Sequence, residues 1–250
     1  MKAIILAAGR GARLNQLTEN NPKCLVQLLG RTLLEWQIQS LRTSVVSQIG
    51  IVTGYRADML APYADRAFIN SDWEQTNMVQ SLVCASEWLE NETCLVSYSD
   101  IVYHPSIVKQ LMNSSGDIVI SYDRLWLQLW EKRFENPLSD AESFIMNTNG
   151  KLIEIGKKTQ NFSDIQGQYM GLLLINPSGW KKITQQLTQL DPIKRNKLDM
   201  TSLLNLLLQS GATINTVGVE GKWCEIDSKK DLSVCEQLLS TSGWSHDFRF

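Results

Sequence analysis

Short, almost continuous apolar runs alternate along this chain with longer stretches whose apolar residues recur every three or four positions. Lys2–Ala8 (KAIILAA) is nearly all apolar and rich in isoleucine, which reads as a strand buried on both faces. Gln48–Gly54 (QIGIVTG), Cys94–Asp100 (CLVSYSD) and Asp117–Asp123 (DIVISYD) read as further strands. Leu33–Arg42 places Leu33, Leu34, Ile38 and Leu41 at helical spacing. Pro105–Asn113 opens on a proline, a residue favoured in the first turn of a helix. Strand, helix and strand in repeated order predict crossover units and a mostly parallel sheet.

The pattern changes between Tyr122 and about Gly171, where short strands come with little helix. ESFIMNTNGKLIEIG predicts a hairpin turning at Asn149-Gly150. This stretch, about 122–171, is expected to form a lobe over the sheet. Helices return at Pro177–Leu190 and Asp199–Gly211, then a strand, TINTVGV, and a closing helix from Lys229. The expectation is one α/β domain over 1–240, a Rossmann-like mixed, mostly parallel sheet flanked by helices with a small α+β insertion. The tail, 241–250, has no period. It packs on the body or on a second subunit, which would make a homodimer.

Composition narrows the classes. The chain has 250 residues, 43% hydrophobic, with a formal net charge of −2. That balance argues against a nucleic-acid binder, so any positive site must be local. Five scattered cysteines without a C-x-x-C pair point to free thiols in a reducing cytosol, not to disulfides or zinc. The N-terminal apolar run is too short for a signal peptide and is followed at once by Arg10 and Arg13. No stretch is long enough to span a membrane. A cytoplasmic protein is expected.

The first predicted strand ends in a glycine-basic turn, LAAGRGARL, followed by Pro22-Lys23. In doubly wound sheets, ligands sit beyond the carboxyl ends of the strands. Gly9 and Gly11 allow close backbone approach, successive amides point at an anion, and Arg13 and Lys23 add two cations. Together they predict a polyphosphate cradle. A Walker A loop is excluded because Lys23 lies far from the glycines. A dinucleotide fingerprint is excluded because Leu14 stands where the third glycine belongs. Strand-end Asp100 is a candidate magnesium ligand or a turn residue, and Asp227, in WCEIDSKKDL, a candidate ligand or a helix cap.

The string Leu6-Ala7-Ala8-Gly9, Gly11, Arg13-Leu14, then Pro22-Lys23, resembles the nucleotidyltransferases that make nucleoside-diphosphate sugars and CDP-alcohols. TNMVQSL (Thr76–Leu82) resembles the base-side segment of the cytidylyltransferases acting on phosphocholine and aminoalkylphosphonates. The resemblance covers the chain to about Leu239 and is strongest in the first twenty-five residues. It implies CTP and Mg²⁺, with the ion on Asp100 and Asp227. It implies base and ribose contacts from Leu6, Ala8, Gly9, Gly11, Tyr55, Asn77 and Ser81, with Arg13 and Lys23 catalytic. Glu225 and Asp231 read as a fold contact and a helix-face charge.

For the second substrate, Trp126 and Trp130 lie four residues apart near Asp140 and Glu142. They are either an aromatic and acidic site for an amine-bearing phosphate or phosphonate, or core residues of the lobe. Lys157 or Lys158 would take the acceptor's phosphate, and Gly171 would allow its close approach. The lobe and GQYMG depart from the phosphocholine enzymes and resemble a broader subgroup serving capsules, phosphonates and phosphoramidates. The expected reaction is transfer of CMP from CTP to such an acceptor, with release of pyrophosphate. The alternatives are a sugar-1-phosphate nucleotidylyltransferase, which would favour neutral hydrogen-bonding residues, and a non-catalytic nucleotide-sensing subunit.

Overall fold

The computed structural model describes residues 1–250, apart from the side chain of Asn15. Strand β1 (Lys2–Ala7) runs into a 3₁₀ segment, Ala12–Thr18, and a small hairpin of β2 (Gln27–Leu28) and β3 (Arg31–Thr32). Helix α1 (Leu33–Thr43) starts at a capping box, in which the Thr32 hydroxyl accepts from the Glu35 amide and the Glu35 carboxylate accepts from the Thr32 amide. Then come β4 (Gln48–Thr53), α2 (Ala57–Leu60), β5 (Arg66–Ile69), α3 (Met78–Val83), α4 (Ser86–Asn91), β6 (Cys94–Tyr98), β7 (Ile101–Tyr103), α5 (Pro105–Met112) and β8 (Ile118–Asp123). The lobe holds α6 (Trp126–Arg133) and the hairpin β9 (Glu142–Met146) and β10 (Leu152–Lys158). The chain finishes with β11 (Gln168–Ile175), α7 (Pro177–Gln189), α8 (Pro192–Asn196), α9 (Met200–Gln209), β12 (Asn215–Val219), β13 (Trp223–Glu225) and α10 (Lys229–Leu239).

Seven strands form the central sheet in the order β12-β8-β11-β6-β1-β4-β5. All neighbours pair in parallel except β11, which runs antiparallel to both β6 and β8. β11 brings the chain back from the lobe, so it enters the sheet from the opposite end. The alternating side chains of β1 explain its unbroken apolar run. Ile4 and Leu6 face a core closed by α3, α4, α7 and α9, through Val79, Leu82, Trp88, Ile183 and Leu203. Ala3, Ile5 and Ala7 face the other core, closed by α1, α5 and α6, through Leu34, Leu41, Ile107, Leu111 and Leu129. Each valine, leucine or isoleucine among them is worth about 1.5–3 kcal/mol when fully buried.

The hairpin turns at the predicted place, with Gly150 at φ 70°. The lobe differs from expectation in one respect: WLQLWEKR is an eight-residue helix, α6, whose buried side packs into the second core. The tail folds onto the body of its own chain. Phe248 is buried edge-on against Trp36, with ring centroids 5.2 Å apart. Among the described residues no helix is long and apolar enough to cross a membrane.

His246 of the tail is fully buried and lies 2.7 Å from Asp123 at the end of β8. That carboxylate also accepts from the Leu125 and Gly221 amides and from the Trp223 indole. Burial pushes the Asp123 pKa up, but the hydrogen bonds from His246 and its neighbours outweigh this, and the value lies below the ordinary 3.8. The stability it contributes is therefore complete above the ordinary carboxylate range and is lost as the pH falls through the lowered value. Asp123→Asn leaves buried donors without a charged acceptor and should cost about 3–5 kcal/mol. Urea unfolding at pH 7 and again near pH 3 should show a smaller difference from wild type in acid; equal differences at both pH values would disprove the assignment.

Candidate active site

The carboxyl ends of β1 and β6 open on a cavity of about 380 Å³. Its wall includes Leu6, Ala8, Gly9, Gly11, Arg13 and Lys23 from the first turn, Trp73, Asn77, Met78 and Ser81 from the segment leading into α3, and Tyr98, Ser99 and Asp100 beyond β6. Gly9 faces open space: an added Cβ would meet nothing within 4 Å. Gly11 has φ 72°, and a Cβ there would lie 2.6 Å from the Cβ of Lys23. The glycine thus lets the lysine lie directly against the turn.

Lys23 is the hub. It is 8% exposed, and its ammonium donates to Asp100 at 2.6 Å and to Asp227. Two carboxylates sharing one nitrogen have their contacting oxygens within about 5 Å of each other, twice a short hydrogen-bond length. Burial opposes the lysine's charge, but Asp100 and Asp227 outweigh it, and its pKa is raised above 10.5. Arg13 forms an ion pair with the other oxygen of Asp227 while 75% of its side chain stays exposed.

The two aspartates come together through a short ladder. β7 and β13 pair antiparallel, with Ile101 opposite Glu225, and the Ile226 amide donates to the Asp100 carbonyl at 2.9 Å. Asp100 precedes one strand and Asp227 follows the other, so they leave the ladder at the same end. Asp227 is not the helix cap; Ser228 is, in a capping box with Asp231. Asp231 is buried, and its carboxylate accepts from the Asp227 and Ser228 amides. The helix-face charge expected there is instead a structural clamp.

The donor set suits a hard divalent cation. Oδ1 of Asp100 is buried without a hydrogen-bond partner among the described residues, and paired carboxylates are what magnesium takes alongside phosphates.

Among the residues expected around base and ribose, Leu6, Ala8, Gly9, Gly11, Asn77 and Ser81 all line the cavity. Asn77 caps α3, accepting from the Met78 amide, and its side-chain amide donates to the Lys197 carbonyl. Ser81 accepts from Asn70 at 3.0 Å. Tyr55 does not line the cavity. Its hydroxyl donates to the Thr18 and Glu19 carbonyls and braces the turn, while its ring stands edge-on to Trp73, centroids 5.4 Å apart. Trp73 and Tyr98, both cavity residues, were not anticipated. Trp73 stands three residues before the TNMVQSL segment, and an aromatic beside a suspected base site is the signal that points to it.

The acceptor residues fare differently. Trp126 and Trp130 are 5% and 2% exposed, part of the second core between α6 and the sheet, with Trp126 against Phe162 and Trp130 against Trp223. They form no open aromatic cage, because α6 needs their apolar area to hold the lobe on the sheet. Asp140 accepts from the Trp130 indole at 3.0 Å and lines a neighbouring cavity of about 310 Å³ with Arg13, Arg133, Asp227 and Lys230. Lys157 is exposed and paired with Glu154. At Gly171, φ is 78° and an added Cβ would lie 2.5 Å from the Tyr98 ring. This glycine makes room for Tyr98, not for a ligand. Glu142 is partly buried, and burial raises its pKa, with nearby Asp199 and Asp140 adding to the rise against Lys158.

The MobA-like NTP transferase domain matches residues 3–143, more than half of the chain and all three elements that converge on the cavity up to Asp100. The chain belongs to this family. Family membership makes it a nucleotidyltransferase and bears out the resemblance read from the glycine turn. It is 37% identical to the CTP:phosphoglutamine cytidylyltransferase of Campylobacter jejuni, across 94% of this chain and 98% of the relative. It is 40% identical to the choline-phosphate cytidylyltransferase of Streptococcus pneumoniae over a shorter stretch, 36% of this chain and 42% of that one. The solved structure of a CTP:phosphocholine cytidylyltransferase from Streptococcus pneumoniae superposes with a TM-score of 0.74 at 23% identity, covering 95% of this chain and 98% of that one. That likeness bears out the predicted fold.

Proposed function

We propose that this protein is a Mg²⁺-dependent cytidylyltransferase that moves CMP from CTP to the phosphate or phosphonate of a small, amine-bearing acceptor. The observation that carries the reading is the grip of two strand-end carboxylates on Lys23, against the glycine turn and at the mouth of a nucleotide-sized cavity. The full-length likeness to a phosphoglutamine cytidylyltransferase supports CTP and makes phosphoglutamine the first acceptor to try.

An acceptor oxygen attacks the α-phosphorus in line; the bond to the β-phosphate oxygen breaks, and pyrophosphate leaves with the electron pair. No general base is required, because a phosphomonoester's second pKa is about 6. This agrees with the two histidines, one capping α5 and the other buried against Asp123. The glycine-turn amides and Arg13 take the leaving pyrophosphate, and Arg13 is exposed enough to swing to it from Asp227. Lys23 sits where the two anions must touch and lowers their repulsion. Asp100 and Asp227 would hold a divalent cation, which would supply further charge neutralisation at the phosphates. Leu6, Ala8 and Trp73 wall the base, with Asn77 and Ser81 beside the ribose. We place the reaction in the cytoplasm, where CTP is made, in keeping with five free thiols.

On the acceptor side, Glu142 is the acidic residue we assign to the acceptor's amine; Asp199, which caps α9, lies near enough to add to the rise in its pKa. Glu142→Gln should raise KM for an aminated acceptor about tenfold, the worth of a hydrogen bond to a charged group, and leave KM for CTP unchanged. Because burial holds Glu142 above the ordinary 4.5, acceptor KM should rise on acidification before an exposed glutamate would titrate. An unchanged acceptor KM in the variant would remove Glu142 from the site.

The decisive assay follows pyrophosphate release with each NTP and Mg²⁺ against phosphoglutamine, phosphocholine, 2-aminoethylphosphonate and glucose 1-phosphate. CTP with an aminated acceptor should win. A preference for UTP with the sugar phosphate, or no release above the blank, overturns the proposal.

A further inference from the structure

We infer that Arg133, contributed by the lobe, is a positioning residue that sets Asp227 for its cation. This rests on the reading of Asp227 given above. Arg133 ends α6, far in sequence from the segment it grips, and its side chain is 3% exposed. Its Nη1 donates to Glu225 at 2.6 Å and its Nε to Asp231 at 2.8 Å. Those carboxylates bracket Asp227 along the chain. Asp231 in turn accepts from the Asp227 amide at 3.2 Å and from the Ser228 amide at 2.8 Å. One planar guanidinium therefore holds both sides of the short segment that carries the ligand.

The guanidinium is itself immobilised. It stacks over Trp130 at 4.9 Å and Phe134 at 5.0 Å, ring centroid to guanidinium carbon. Trp130 is one of the lobe's core residues, so the buried tryptophan fixes Arg133, Arg133 fixes the 225–231 segment, and that segment aims Asp227. A rigid fork of two donors at a set angle does this, whereas a lysine ammonium is a point charge on a flexible stem and cannot hold Glu225 and Asp231 in one fixed planar geometry. Arg133 touches no reacting atom in this arrangement. Its effect passes through backbone and carboxylate contacts to the ligand, and changes to such outer partners typically cost about 10- to 100-fold in metal affinity.

The test uses Arg133→Lys, with Glu225→Gln as a milder second variant that keeps the guanidinium and an acceptor oxygen. Mn²⁺ affinity is read by electron paramagnetic resonance in the presence of CTP, well below each variant's melting temperature, and the Mg²⁺ concentration for half-maximal pyrophosphate release is read alongside. The expected result is Mn²⁺ binding about tenfold weaker or more in Arg133→Lys and weakened less in Glu225→Gln, with lost turnover recovered at high Mg²⁺ and KM for CTP near wild type. A purely structural role would lower the melting temperature and leave Mn²⁺ affinity within twofold of wild type; that result overturns the inference. If Arg133→Lys does not fold, an unchanged Mn²⁺ affinity in Glu225→Gln overturns it equally. Wild-type protein that binds Mn²⁺ but turns over no NTP would sink the cytidylyltransferase reading while leaving this comparison intact. Wild-type protein that binds no Mn²⁺ with CTP would sink the assignment of Asp227 and this inference with it.

Discussion

Lys23→Met should lower the rate of pyrophosphate release about 10²- to 10³-fold, the usual cost of one preorganised charge at a reacting centre. The ammonium stands between two groups that repel each other throughout the reaction, so its loss should appear in kcat more than in KM for CTP. The same substitution has a second consequence. Asp100 and Asp227 lose a largely buried counterion, and breaking such a pair by removing one partner costs about 3–5 kcal/mol. Both aspartates keep some contact with solvent, and Asp227 keeps Arg13, so the loss should fall at or below that range. Mg²⁺ without nucleotide should then stabilise the variant more than the wild type, because the cation no longer competes with an ammonium. At a hundredfold excess over Kd, the gain would be about 2.7 kcal/mol. Full turnover in the methionine variant defeats the catalytic role, and equal Mg²⁺-induced shifts in Tm defeat the competition.

What could be read from the sequence was whatever the physics makes local. Strands buried on both faces appear as apolar runs, and β1, β4, β6 and β8 lie where such runs stand. The glycine turn was legible because Gly11 needs its positive φ within the motif itself. Asp100 could be singled out as a strand-end acid and Asp227 as an acid ahead of a helix, and the resemblance gave both to the cation, although nothing in their 127-residue separation says that they meet; the β7–β13 ladder does that. The misreadings have the opposite cause. Trp126 and Trp130 carry the same spacing whether they cage a ligand or fill a core, and only the neighbours Phe162 and Trp223 decide. Gly171 is a glycine because of Tyr98, a residue on an adjacent strand. Arg133 gave no signal, since an arginine at the end of an amphipathic helix ordinarily faces water. Its partners at 225 and 231 belong to a different part of the chain.

Asp100→Asn should be comparably damaging to turnover, about 10²- to 10³-fold, and far gentler on the fold. The amide is nearly the same size, Lys23 keeps Asp227, and the strands on either side of residue 100 are held by their own ladders. What disappears is one of two negative charges for the cation, together with the carboxylate oxygen that has no partner among the described residues. The half-activating Mg²⁺ concentration should therefore rise along with the fall in rate. Asp227→Asn should behave alike, with an additional penalty because Arg13 also loses its partner. The informative variant is the double. If both aspartates hold one ion, the second substitution removes a ligand from a site already emptied, and the double variant should be scarcely slower than the worse single one. Two independent roles would instead multiply, giving a loss near the product of the singles. Pyrophosphate release measured across a Mg²⁺ series for all four proteins separates these outcomes, and multiplicative losses at saturating Mg²⁺ would show that the two carboxylates do not share a cation.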